Sequence, residues 1–362
     1  MAWWQNNNTT GWLMHLRAAM ICRMQNDPDQ ELRRSGSKAR FLVHVGLPKC
    51  GSTSLQKVFA TAPGITFLGK SLLHYADSRI GQFTRLVAPF ADVRMSDQHG
   101  YREAFAAGLA GAGDKPVVLS DEILSSVGFA ARGTGNSFLQ ILDNVAAVAG
   151  PFELMIVVRE QRAFLKSYYK QWVLGGGHLC FQDFIAAILL RRQRFLLPML
   201  DYPALASAAG QIASRVHVLV FERLFSDRAY REAKFAAMGI SGISGHFAGV
   251  QERPSRSDAE IAGKLAEARK NPWPALLSMN KAFLGPDLYT AQTLDSPDAL
   301  ATANAIKSLN LTIRSRGETA AESMFTLDAA VEVDLLRHFK MFNHRLPEID
   351  SDIDWPSLDY VM

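Results

Sequence analysis

Apolar residues fall along this chain in short unbroken blocks, separated by longer stretches in which they recur every three or four positions. Residues 40–46, Arg-Phe-Leu-Val-His-Val-Gly, form a β-favouring run that ends in a glycine-containing loop. In residues 52–62 that follow, Leu55, Val58 and Phe59 sit at helical spacing, so the pattern predicts a strand–loop–helix unit. Similar apolar runs occur at 65–68, 116–119, 152–158 and 216–221, with helix-like stretches at 101–110, 138–148, 161–173 and 228–238. Strands alternating with helices predict an α/β fold, a mostly parallel sheet covered on both faces. From Ser257 onward helical segments are separated by proline and glycine, as in Asn271-Pro272-Trp273-Pro274 and Gly285-Pro286, with no convincing strand. The expected organisation is a peripheral tail over 1–38 and a single domain over 39–362, with 257–362 as a mostly helical cap.

Composition narrows the functions this fold could serve. A chain of 362 residues with 48% hydrophobic content can bury a substantial core. Lys plus Arg total 39 against 35 for Asp plus Glu, a surplus too small for a general polyanion-binding surface. Nucleic acid is therefore excluded as a partner, and any anion site must be local. Cys22, Cys50 and Cys180 have neither paired nor metal-type spacing, so no disulfide framework and no metal site are expected, and a reducing, cytoplasmic setting fits best. Residues 184–190 are too few to cross a bilayer and run into Arg191, Arg192 and Arg194. Near the start, residues 12–24 are interrupted by His15, Arg17 and Arg23, leaving a weak amphipathic segment suited at most to peripheral membrane contact.

The local anion site is expected at Gly46-Leu-Pro48-Lys49-Cys50-Gly51-Ser52-Thr53-Ser54, between a strand and a helix start. There the backbone N–H groups and the helix dipole favour a phosphate-like group. An ATPase or kinase loop carries lysine immediately before its final Ser or Thr; here Ser52 holds that place and the lysine comes earlier, at Lys49.

With Pro48-Lys49-Cys50-Gly51-Ser52-Thr53-Ser54-Leu55, the loop resembles that of the sulfotransferases that use 3′-phosphoadenosine 5′-phosphosulfate (PAPS), where it reads approximately Pro-Lys-Thr-Gly-Thr-Thr-x-Leu. Cys50 stands where the family has threonine. A second match is Arg159 at the end of the 152–158 run, with Ser167 eight positions later; in the family, such a pair binds the donor's 3′-phosphate. The resemblance implies that Lys49, Gly51, Ser52, Thr53 and Ser54 hold the phosphosulfate end and that Arg159 and Ser167 hold the other. Fainter echoes are Val220-Phe221-Glu222-Arg223-Leu224 near the end of the sheet, Phe342-Asn343-His344-Arg345-Leu346 in the terminal helix, and Arg253 and Arg256 in a donor-closing loop. The loop style is closer to the carbohydrate-type, bacterial-like branch, which implies a carbohydrate or glycolipid acceptor.

Sulfuryl transfer needs a cation at the leaving oxygen and a base at the acceptor hydroxyl. Lys49 is the candidate cation. Glu122, after the 116–119 run, is the candidate base, with Asp121 and His74 as alternatives. Tyr168, Tyr169, Trp172 and the Gly175-Gly176-Gly177-His178 turn are candidate acceptor contacts. Because an apolar run followed by Asp121-Glu122 also imitates the metal-binding strand of nucleotide hydrolases, a P-loop kinase or ATPase is the alternative reading, and a non-catalytic anion-binding scaffold is a third.

Overall fold

The structure is a computed structural model that describes residues 40–47, 49–68, 112–120, 124, 136–174, 177, 179–190, 196–248, 250, 256–270 and 324–362. Five strands form one parallel sheet: β1 (Phe41–Gly46), β2 (Thr66–Phe67), β3 (Val117–Ser120), β4 (Glu153–Val158) and β5 (Arg215–Val220), in the order β2-β3-β1-β4-β5. The helices used below are α1 (Ser52–Thr61), α2 (Asn136–Ala149), α3 (Gln161–Leu174), α4 (Phe181–Leu190), α5 (Leu197–Leu200), α6 (Tyr202–Ala209), α7 (Phe221–Ser226), α8 (Arg228–Ala237), α9 (Asp258–Lys270), α10 (Ala329–Asn343) and α11 (Leu346–Ile349). The fold is α/β, a P-loop-like parallel sheet flanked by helices.

β1 is buried along its whole length because it is the middle strand, paired with β3 on one side and β4 on the other. Parallel strands covered on both faces need near-continuous apolar sequence, and β1, β3 and β4 supply it, with His44 of β1 and Ser120 of β3 as the paired polar exceptions. The chain passes from β3 across β1 to β4, so the strand order reverses beside β1, and the crevice at the carboxyl ends of β1 and β4 is where such sheets take ligands. Register places Gly46 beside Val157, which brings the loop after β1 next to the turn after β4.

The sequence pattern counts Phe221 as the end of the last strand. Instead β5 stops at Val220 and α7 begins directly at Phe221, whose ring packs against Phe225. The terminal segment closes over the start of α3: Gln161 and Asn343 exchange side-chain hydrogen bonds of 2.5 and 3.2 Å, and Asn343 Nδ2 donates to the Val361 carbonyl. α9 meets α3 through Lys170, which pairs with Asp258 at 2.8 Å. The expected helix at 101–110 and the tail over 1–38 lie outside the described residues. Among the described residues, no helix is long and apolar enough to cross a membrane.

Candidate anion-binding site

The loop after β1 is shaped by two left-handed residues. Lys49 has φ 66° and Gly51 φ 74°. For lysine this conformation stores backbone strain, since its Cβ crowds the following carbonyl. For Gly51 it is unstrained, and the missing side chain matters further: a Cβ there would come within 2.6 Å of the Phe225 ring and 3.0 Å of Phe221. The backbone thus lies directly on two aromatic rings.

Gly51 is also the N-cap of α1, and no side chain caps that end. Because the first helical hydrogen bond runs from Leu55 N–H to the Gly51 carbonyl, the N–H groups of Ser52, Thr53 and Ser54 precede the ladder, at the positive end of the dipole. Ser52 is buried, and its Oγ has no hydrogen-bond partner. Thr53 is half-buried and Ser54 buried, while Lys49 is exposed at the rim. Pro48 lies outside the described residues.

Cys50 faces inward. It is fully buried, and its N–H donates to the Leu47 carbonyl at 3.2 Å. Burial pushes its thiol well above the usual range, with Arg159 drawing it down and Glu222 pushing it up. Position 50 therefore closes the loop from beneath.

Arg159 follows β4 and reaches across the crevice. Its guanidinium lies 4.4 Å from the centroid of the Phe221 ring, and Nη1 donates to the Lys49 carbonyl at 2.9 Å. Two candidates 110 positions apart in sequence are thereby joined. Arg159 Nε is buried with no hydrogen-bond partner. Of five N–H donors on a guanidinium, one goes to Lys49, and the Nη groups retain three.

Glu160 caps α3: its carboxylate accepts from Arg162 N at 3.0 Å and Ala163 N at 2.7 Å. Its own N–H donates to Glu222 Oε1 at 2.9 Å. Burial pushes the Glu222 carboxyl up, opposed by the hydrogen bond from Glu160 N and by Arg159. Neither Glu160 nor Tyr202, whose hydroxyl donates to the Arg159 carbonyl at 2.5 Å, was singled out by the sequence pattern. Glu222 was visible only inside the Val220–Leu224 echo.

Ser167 lies on α3, half-buried, six residues from its start and so about 9 Å along the axis. No hydrogen bond joins it to Arg159. Arg256 is ion-paired with Glu260 at 3.1 Å, on the helix that meets α3 at Lys170. Tyr169 is fully buried, donates to the Leu179 carbonyl at 3.0 Å and packs on Phe181 and Phe184. Tyr168 stacks between Phe164 and Phe184, and Trp172 packs on Phe184 and so tightly on Gly177 that a Cβ there would sit 2.2 Å from the indole. These three aromatics build the α3–α4 core. Glu122, Asp121, His74, Arg253, Gly175, Gly176 and His178 lie outside the described residues.

A buried polar group sits on the other side of β1. His44 Nδ1 shares a 2.7 Å hydrogen bond with Ser120 Oγ, and the Ser120 carbonyl accepts from Gln56 Nε2 at 3.4 Å. Burial lowers the His44 pKa to about 3, so the ring is neutral at ordinary pH.

No family model matches the chain, and no curated protein matches it. Among solved structures the chain is similar to a sulfotransferase from Alicyclobacillus acidocaldarius, at 16% identity and a TM-score of 0.38, over 69% of this chain and 97% of that one.

Proposed function

We propose that this chain is a PAPS-dependent sulfotransferase that moves a sulfuryl group to an acceptor hydroxyl on a carbohydrate or glycolipid. The observation that carries the reading is the junction of two anion-seeking features: the uncapped N-terminus of α1, behind the left-handed Lys49, and the Arg159 guanidinium bonded to the Lys49 carbonyl. A ligand with phosphate groups at both ends of a nucleoside matches this pairing better than a simple nucleotide does. The fit is chemical as well: Ser52 Oγ lacks a partner, and Arg159 keeps donors to spare.

PAPS, when bound, supplies the sulfuryl group as an activated anhydride. The N–H groups of Ser52, Thr53 and Ser54 would receive its 5′ end, with Gly51 supplying the left-handed turn that leads into them and the Lys49 ammonium offsetting charge on the leaving oxygen. Arg159 and Ser167 would hold the 3′-phosphate. Glu122 is the proposed base, with Asp121 and His74 as alternatives, taking the proton from the acceptor hydroxyl.

Calorimetry with adenosine 3′,5′-bisphosphate, AMP and ATP tests the reading. The bisphosphate is expected to bind most tightly, and Arg159→Ala to weaken it by roughly 1.5–3 kcal/mol, the cost of a charge-assisted contact. Equal affinity for all three, or preference for ATP with magnesium, would overturn it in favour of a kinase or ATPase.

A further inference from the structure

We propose that Tyr202 and Glu222 are positioning residues that aim Arg159, and so set the preference for a 3′-phosphorylated nucleotide; this rests on the donor reading above. Arg159 is gripped through its backbone. The Tyr202 hydroxyl donates to the Arg159 carbonyl at 2.5 Å, and the next N–H, that of Glu160, donates to Glu222 Oε1 at 2.9 Å. These two backbone groups belong to one planar peptide unit. Bonds on its opposite edges hold the plane against rotation, which fixes the dihedrals on either side of it and with them the direction in which the arginine leaves the sheet.

The two partners come from separate, well-anchored places. Tyr202 opens α6, is fully buried, and follows Asp201, whose carboxylate caps that helix through Ala204 N. Glu222 stands in the first turn of α7, immediately after β5. Its neighbour Phe221 carries the guanidinium on its ring face, so the start of α7 holds Arg159 at both its backbone and its charged end. Glu222 Oε2 is buried without a hydrogen-bond partner, a desolvation cost that a simple surface turn would have no reason to bear. That cost fits a site where one particular acceptor position is needed.

The test compares adenosine 3′,5′-bisphosphate with AMP, which lacks the 3′-phosphate, on the full chain and on Tyr202→Phe, Glu222→Ala and Glu222→Gln. Tyr202→Phe keeps the ring and removes only the donor. Glu222→Gln keeps an acceptor oxygen and removes the charge. The bisphosphate-to-AMP affinity ratio is expected to fall roughly tenfold, equivalent to about 1.4 kcal/mol, in Tyr202→Phe and Glu222→Ala. It should recover to within about threefold of the parent in Glu222→Gln, with AMP affinity little changed throughout. The loop should still receive AMP because the Cys50 N–H bond to Leu47 and the Phe225 ring under Gly51 support it beside the Arg159 contacts. An unchanged ratio in Tyr202→Phe, or equal losses for both nucleotides, overturns the proposal, as does Glu222→Gln behaving like Glu222→Ala. If the parent shows no preference for the bisphosphate, the donor reading itself falls and takes this proposal with it. Thermal unfolding of each variant accompanies the titrations, and should Glu222→Ala fail to fold, Tyr202→Phe decides alone.

Discussion

Two polar clusters flank β1 near its carboxyl end, and they are built on opposite principles. Toward β4, the backbone of Lys49 is strained, an arginine bridges two loops, and Ser52 Oγ, Arg159 Nε and Glu222 Oε2 are buried without partners. Toward β3, His44, Ser120 and Gln56 are held in ordinary strand and helix conformations, and the ring is neutral. Both clusters are buried beside the same strand, so burial alone does not mark a site. Unspent hydrogen-bonding capacity alone does not mark one either, since His44 Nε2 on the β3 side is also buried without a partner; the β4 side differs in combining that capacity with local backbone strain, a cost that folding by itself would remove.

The largest expected effect comes from filling the bare backbone on the β4 side. Gly51→Ala must place a Cβ in a left-handed conformation, at roughly 1–2 kcal/mol, and against Phe225, whose ring is hemmed in by Phe221 and Phe247. With an overpacking cost of roughly 1–3 kcal/mol added, the variant should lose about 2–5 kcal/mol in urea unfolding. Ser120→Ala on the β3 side removes one hydrogen bond and leaves the buried His44 Nδ1 without a partner, which should cost roughly 1–3 kcal/mol. Equal losses would mean that the two sides are not different in kind.

How much of this contrast the sequence carries can be traced residue by residue. The strands are legible because central parallel strands demand near-continuous apolar runs, as in Phe41–Gly46 and Glu153–Val158. The loop and Arg159 are legible as motifs. Their contact is not, since it depends on register placing Gly46 beside Val157. Tyr202 leaves no signal and Glu222 only the faint Val220–Leu224 echo, because they act on backbone atoms 43 and 62 positions away, which any sequence at 159 and 160 would offer. The aromatics of α3 are ambiguous in sequence for a physical reason: the same rings can line a cleft or fill a core, and the packing of Phe181 and Phe184 places Tyr169 in the core while Tyr168 and Trp172 stay partly exposed.

The β3 side can be probed by pH. Burial holds the native His44 pKa at about 3, whereas an unfolded histidine titrates near its ordinary value of 6.5. Above pH 6.5 neither state is charged and the residue has no linkage effect. Between pH 6.5 and 3 the unfolded chain takes up a proton that the native state refuses, so stability falls as pH falls. By pH 5.5 the loss relative to pH 7.5 should be about 1.4 kcal/mol from this residue alone. His44→Gln, which cannot titrate, should lack that component, so the difference between the two pH profiles of unfolding free energy isolates it. Parallel profiles would show that the ring is not kept neutral by burial, and the contrast between the two sides of β1 would weaken.

The smallest effect separates charge from backbone at Lys49. With φ at 66°, Lys49 and any alanine placed there share the left-handed penalty, while glycine escapes it. Lys49→Gly should therefore be more stable than Lys49→Ala by roughly 0.5–1 kcal/mol, although glycine at an ordinary position costs about that much instead. Both substitutions remove the ammonium group, so under the proposed chemistry both should slow transfer on the order of 10²–10³-fold and to the same extent. The measurement is a pair of urea titrations set beside turnover with PAPS and a common acceptor. If Lys49→Gly were the less stable variant, the loop would not be holding lysine against its own preference. If it were also the less active by a wide margin, the strained backbone itself would be aligning the N–H groups of Ser52, Thr53 and Ser54, because the charge is missing from both variants and only the freedom of position 49 differs between them.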